Sequence, residues 1–124
     1  MIGYVTLGTN DMAKALAFYD ALLGPLGANQ LMNDGRIAIY GKEMGVGMVA
    51  VCTPFDENPA SAGNGNMVAL NVGSQDAVNE MHARAMQLGG SDEGAPGPRG
   101  DGPFYGGYFR DLDGNKLCAC CFGG

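Results

Sequence analysis

The chain has 124 residues, 46% of them hydrophobic and 16% charged, which is enough for one compact domain with a buried core. Its formal charge is −6 and its seven Lys and Arg do not cluster, which argues against a nucleic-acid backbone or an anionic membrane as partner. The 22 glycines are dispersed without a three-residue period, so they read as turns and bent strands rather than as collagen or low complexity.

Ile2 to Gly8 alternates apolar and small residues and predicts a strand. Asn10 or Asp11 is the N-cap of a helix reaching about Leu23, and Ala15, Phe18, Tyr19 and Leu22 form its apolar stripe. Gly24-Pro25 stops it. Ala28 to Met32 is a short strand, Asn33-Asp-Gly35 a hairpin turn, and Arg36 to Tyr40 and Val46 to Cys52 are strands. Thr53 to Asn66 has prolines, glycines and no periodicity, so it connects the halves, and Gly63-Asn-Gly65 is a flexible link rather than a phosphate cradle.

The second half repeats this order. Val5 to Gly27 aligns without gaps on Val68 to Gly90, and each copy reads as strand, capped helix and glycine stop. Met67 to Val72 is a strand, and Ser74 caps a helix to about Leu88 whose stripe is Val78, Met81, Ala85 and Leu88. Ser91 to Gly94 is a weak strand, and Ala95 to Gly102, with Pro96 and Pro98, reads as loop. Tyr105 to Arg110 and Asn115 to Phe122 form a hairpin around Asp111-Leu-Asp-Gly114. That motif is a turn: Asp satisfies local N–H groups, Gly takes positive φ, and the further ligands of a calcium loop are missing. The reading is an α+β fold of two βαβββ modules: module 1 about 1–53, linker about 54–66, module 2 about 67–124.

No basic start or long apolar run opens the chain, so neither leader nor membrane span is expected. The expected place is the cytoplasm, with Cys52, Cys118, Cys120 and Cys121 reduced. Cys118 and Cys120 share one strand face, and Cys121 takes the other.

These residues resemble the vicinal oxygen chelate superfamily of glyoxalases, bleomycin-resistance proteins and ring-cleaving dioxygenases. The likeness lies in Ile2-Gly-Tyr-Val-Thr-Leu with Phe18-Tyr-Asp-Ala-Leu-Leu-Gly24, in Pro54-Phe-Asp-Glu-Asn-Pro-Ala, in Gly94-Ala-Pro-Gly-Pro-Arg99, and in the closing Tyr105-Gly-Gly-Tyr-Phe-Arg-Asp-Leu-Asp-Gly-Asn-Lys-Leu117. It implies a curved mixed sheet around a cleft, with helices outside, and commonly a homodimer. Domain swapping through Thr53 to Asn66 stays open.

Metal-dependent members carry His or Glu on each module's opening strand and Glu or a similar group on each closing strand. Matching motifs puts Tyr4, Met67 and Cys118 at three of these positions. The fourth, on Val46 to Cys52, is left open by register, and no residue in that strand is His, Asp or Glu. The expectation is therefore no metal and no cofactor, with Tyr4, Thr6, Met67, Ala69, Cys118 and Cys120 lining a pocket for a small molecule. The −6 charge, if it acts at all, favours a cationic ligand. Catalytic residues remain unassigned. One alternative is a glyoxalase-type lyase or isomerase with a non-standard metal site. A soft site of Cys118, Cys120 and Met67, whose thiolates and thioether suit Cu(I), is a separate alternative. Another has Cys118 as nucleophile, Tyr4 as acid and Arg110 as the cation lowering the thiol pKa. His82, the single histidine, reads as a helix-surface or dimer-face residue.

Overall fold

A computed structural model describes residues 1–123, so Gly124, the end of the expected second module, lies outside the described residues. The chain divides into two compact units, Met1–Ala62 and a second beginning at Gly63. Each has the same element order and the same strand order.

In the first unit β1 (Tyr4–Gly8) leads into α1 (Met12–Leu23), a short 3-10 turn (Gly24–Leu26), and β2 (Asn29–Asn33), β3 (Ile37–Gly41) and β4 (Met48–Cys52). Asp11, rather than Asn10, caps α1 by accepting from the Lys14 N–H, while Asn10 ties down the loop through two bonds with Ala60. The sheet runs β1-β4-β3-β2, with β1 and β4 parallel and the remaining pairs antiparallel. The predicted hairpin turn forms: the Asp34 carboxylate accepts from the Arg36 and Ile37 N–H groups, and Gly35 sits at φ 93°. Those two N–H groups hold the Asp34 carboxyl below its usual range. Tyr40 faces α1 and donates to Asp20 at 2.7 Å; burial and this carboxylate push its phenol pKa up. The register then gives Val49, Val51, Val5 and Leu7 the helix side, and Tyr4, Thr6, Ala50 and Ile39 the helix-free side.

The second unit has β5 (Val68–Asn71), α2 (Gln75–Gln87), β6 (Ser91–Pro98), β7 (Phe104–Arg110) and β8 (Lys116–Phe122), in sheet order β5-β8-β7-β6. Ser74 caps α2 as expected. Val78, Met81 and Ala85 are buried, and Leu88 is half-buried.

Two expectations change. The segment read as loop from Ala95 is strand through Pro98. β6 is the edge strand, so Pro96 and Pro98 need not supply ladder N–H groups on both sides, and bulges between Asp92 and Gly94 and between Gly94 and Gly97 absorb the irregularity. His82 is not a surface residue. It is 9% exposed, packs its ring edge-on to Phe109 with centroids 6.3 Å apart, and bonds Asp92 at 2.9 Å. α2 packs over β7 with His82 turned inward, and the glycine at 107 makes room: a Cβ there would lie 3.3 Å from the His82 ring. The Gly94 N–H and His82 together lower the Asp92 pKa.

The Asp111 turn forms as read. Its carboxylate accepts from the N–H groups of Asp113 and Asn115 and from the Asn115 side chain, each at 2.9 Å, and Gly114 has φ 86°. Asp111 is 5% exposed, and Asp111→Ala leaves two part-buried N–H groups without this acceptor. The expected cost is about 2–3 kcal/mol, read as a lower urea midpoint at unchanged m-value.

Candidate functional site

The helices cover one face of each sheet. The opposite faces carry the residues expected to bind a ligand.

In the first unit Tyr4 and Thr6 are exposed on the helix-free side of β1, because strand alternation sends Val5 and Leu7 toward α1. Tyr4 pairs with Met48, and Thr6 with Ala50. In the second unit Ala69 pairs with Cys118, and Asn71 with Cys120, on one face. Met67 lies one residue before β5 and is exposed, as is Ala69; Cys118 and Cys120 are buried. The structure thus groups Ala69, Cys118 and Cys120 in one face of one sheet and Tyr4 with Thr6 in another.

The matched registers give Cys118 a counterpart in the first unit. Thr6 and Ala69 are equivalent in the repeat, so their partners Ala50 and Cys118 are equivalent too. Ala50 is fully buried and has no donor atom. A hard divalent ion needs several imidazole or carboxylate donors. Tyr4, Ala50, Met67 and Cys118 offer a phenol, a methyl, a thioether and a thiol. This donor set does not fit the family's ion, and no cluster of three or more His, Cys, Asp or Glu suited to a metal occurs among the described residues.

The thiols are also poorly set up as nucleophiles. All four cysteines are free. Burial, and then the neighbouring Cys120, push the Cys118 pKa up to about 11, and burial raises Cys120 as well. Arg110, the cation expected to lower the Cys118 pKa, is instead engaged by Glu93 at 2.5 Å and by the Gly114 carbonyl at 3.0 Å. The basic group that does act on the thiol is Arg99, as a minor influence.

Sequence reasoning missed Tyr108. It pairs with Cys118 across the strands. Its ring has the Arg99 guanidinium at 5.3 Å and the Lys116 ammonium at 5.6 Å from its centroid. Alternation along β7 could have put Tyr108 on the Cys118 face, but Arg99 arrives only through the bulged β6. In the first unit an open groove of about 550 Å³ is lined by Thr9, Arg36, Thr53, Phe55 and Glu57, among others. Arg36 stacks 5.5 Å from the Phe55 ring centroid there and donates to the Thr53 carbonyl.

The paired βαβββ units, each presenting a helix-free sheet face, define the class of protein: a glyoxalase-type α+β fold. A family model for the Glyoxalase/Bleomycin resistance protein/Dioxygenase superfamily matches residues 1–119, and the chain belongs to that superfamily. It is 35% identical to a glyoxalase/bleomycin resistance protein from Albidiferax ferrireducens T118, with 98% of each chain covered and a TM-score of 0.87. A glyoxalase-related enzyme from Fulvimarina pelagi shares the fold at 22% identity, over 98% of this chain and 87% of that one, with a TM-score of 0.76. A lactoylglutathione lyase from Agrobacterium tumefaciens does so at 21% identity, over 97% and 92%, with a TM-score of 0.69. No curated protein matches the chain.

Proposed function

We propose that this chain is a small-molecule binder of the glyoxalase/bleomycin-resistance kind that works without the family's divalent metal. The two units are read as modules of one domain, with Tyr4, Thr6, Met67, Ala69, Cys118 and Cys120 as ligand-facing wall. The observation that carries this reading is the donor set at the four register-equivalent positions: Tyr4, Ala50, Met67 and Cys118 cannot hold a hard divalent ion. Glyoxalase-type proton transfer needs an electrophile at the carbonyl and a carboxylate base, and the carboxylate beside the second face, Glu93, is bonded to Arg110. An adaptable wall of thioether, thiol and phenol suits apolar ligands.

Elemental analysis of protein purified without added metal tests this. The expected result is Ni, Zn, Fe and Mn far below one ion per chain; a stoichiometric ion overturns the reading and returns the lyase or isomerase alternative. A homodimer in the cytoplasm completes the proposal. Supporting it are the pairing of modules common in duplicated folds and four free cysteines suited to a reducing compartment. Sedimentation equilibrium is expected to give twice the chain mass. No helix is long and apolar enough to cross a membrane among the described residues.

A further inference from the structure

We propose that the helix-free face of the second sheet binds the anionic group of a small aromatic acid, a carboxylate or phosphonate, through Arg99 and Lys116 beside Tyr108. This rests on the reading of that face as a ligand surface and deepens it by giving the ligand's chemistry.

The register of β7 and β8 lays the face out in rows. Arg110 pairs with Lys116, Tyr108 with Cys118, Gly106 with Cys120, and Phe104 with Phe122. One end of the face is cationic and the other aromatic, where the Phe104 and Phe122 rings meet edge-on at 5.3 Å. Between them Gly106 and Cys120 are buried, and the Phe104 ring lies over Gly106, where a Cβ would stand 2.8 Å from it, so the aromatic end reaches toward the Tyr108 row. From the Tyr108 row to the Phe104 row is about 13 Å, since each residue advances about 3.3 Å. A ligand ring therefore meets the Phe104 edge, with its acid group at the Tyr108 row.

The cations are poised rather than spent. Arg99 donates to the Ala95 carbonyl at 2.7 Å and to the Pro98 carbonyl at 3.2 Å. A guanidinium has five N–H donors, so these bonds hold it in place and leave three for a ligand. It lies back over its own strand because two glycines clear the space. A Cβ on Gly97 would stand 3.1 Å from one Arg99 terminal nitrogen, and one on Gly94 3.4 Å from the other. Lys116 has one nearby carboxylate, Glu93, and Glu93 is engaged with Arg110. In a chain of net charge −6, two basic groups converging on one aromatic ring, neither in an ion pair among the described residues, make a local field opposite in sign to the whole. The expectation of a cationic ligand, drawn from net charge, is reversed at this face.

Phenylphosphonate and benzylamine, each titrated into ¹⁵N-labelled full-length protein, test the assignment. Phenylphosphonate is expected to shift the Arg99 side-chain and Tyr108 and Lys116 backbone resonances saturably. Arg99→Gln and Lys116→Gln should each weaken it roughly tenfold, the loss of one charge-assisted hydrogen bond. Arg99→Lys should weaken it too, because an ammonium lacks the fork. Gly97→Ala displaces only a flexible side-chain end, so it should weaken binding while the melting temperature holds. Arg84→Gln, on α2, should change nothing. Absence of saturable shifts, unchanged wild-type affinity in Arg99→Gln and Lys116→Gln, or tighter binding of benzylamine overturns the anion assignment. Benzylamine binding on this face would do so while leaving the metal-free binder standing; a stoichiometric metal would sink that broader reading instead.

Discussion

Iodoacetamide at pH 7.5 is expected to leave Cys118 unmodified while Cys52 on the same molecule reacts. Alkylation proceeds through the thiolate. With its pKa raised from 9.0 to about 11, Cys118 carries about a hundredfold less thiolate than an ordinary thiol. A more basic thiolate is intrinsically more reactive, but a Brønsted slope near 0.4–0.5 returns only about tenfold. The thiolate fraction therefore wins, and complete burial of Cys118 slows access further. Cys52 is half-buried at the end of β4. Peptide mass spectrometry over a time course reads the two sites separately, and Cys118 labelling as fast as Cys52 would restore the nucleophile alternative. The same shift has a pH signature. Because the folded pKa lies above the unfolded one, the stability from burying the neutral thiol is fully present below about pH 9. It is lost as pH rises toward about 11. The urea midpoint of the native chain should fall over that window more steeply than that of Cys118→Ala.

Phe109→Ala is expected to cost about 3–5 kcal/mol, which lowers the melting temperature by roughly 10–20 °C. Phe109 is fully buried on the helix side of β7, between α2 and β8, with His82 edge-on to its ring. Truncation removes the largest apolar group under α2 near that contact and leaves a cavity beside an imidazole whose outer nitrogen is held by Asp92. The rigid sheet cannot close the gap, since Gly90 already sits against backbone: a Cβ there would be 2.6 Å from the Arg110 carbonyl oxygen. Calorimetry decides it. A loss below about 1 kcal/mol would mean that α2 repacks freely and that the sheet is not the rigid platform assumed for the opposite face.

Much of the architecture was legible because its signals are local. The stripes of α1 and α2, the Asp11 and Ser74 caps and the Asn33-Asp-Gly35 turn each act within a few residues. The repeat then paired equivalent elements without any tertiary information. What failed was non-local. Pro96 and Pro98 argued against a strand, and only the sheet order shows that β6 is an edge where a missing N–H costs little. His82 looked like surface because helical periodicity does not say that a glycine across the sheet would receive it.

The amino-acid order by itself determined the class, two βαβββ units, and the absence of a hard-donor set at the mapped positions, because periodicity, caps and side-chain chemistry are written residue by residue. The tertiary structure alone decided which side chains meet. It set Ala50 in register with Thr6, pushed the Cys118 thiol upward by burial, and carried Arg99 across a bulged strand to the ring that Lys116 also approaches. Register, burial and through-space charge depend on strands far apart in the chain, and no local pattern encodes them.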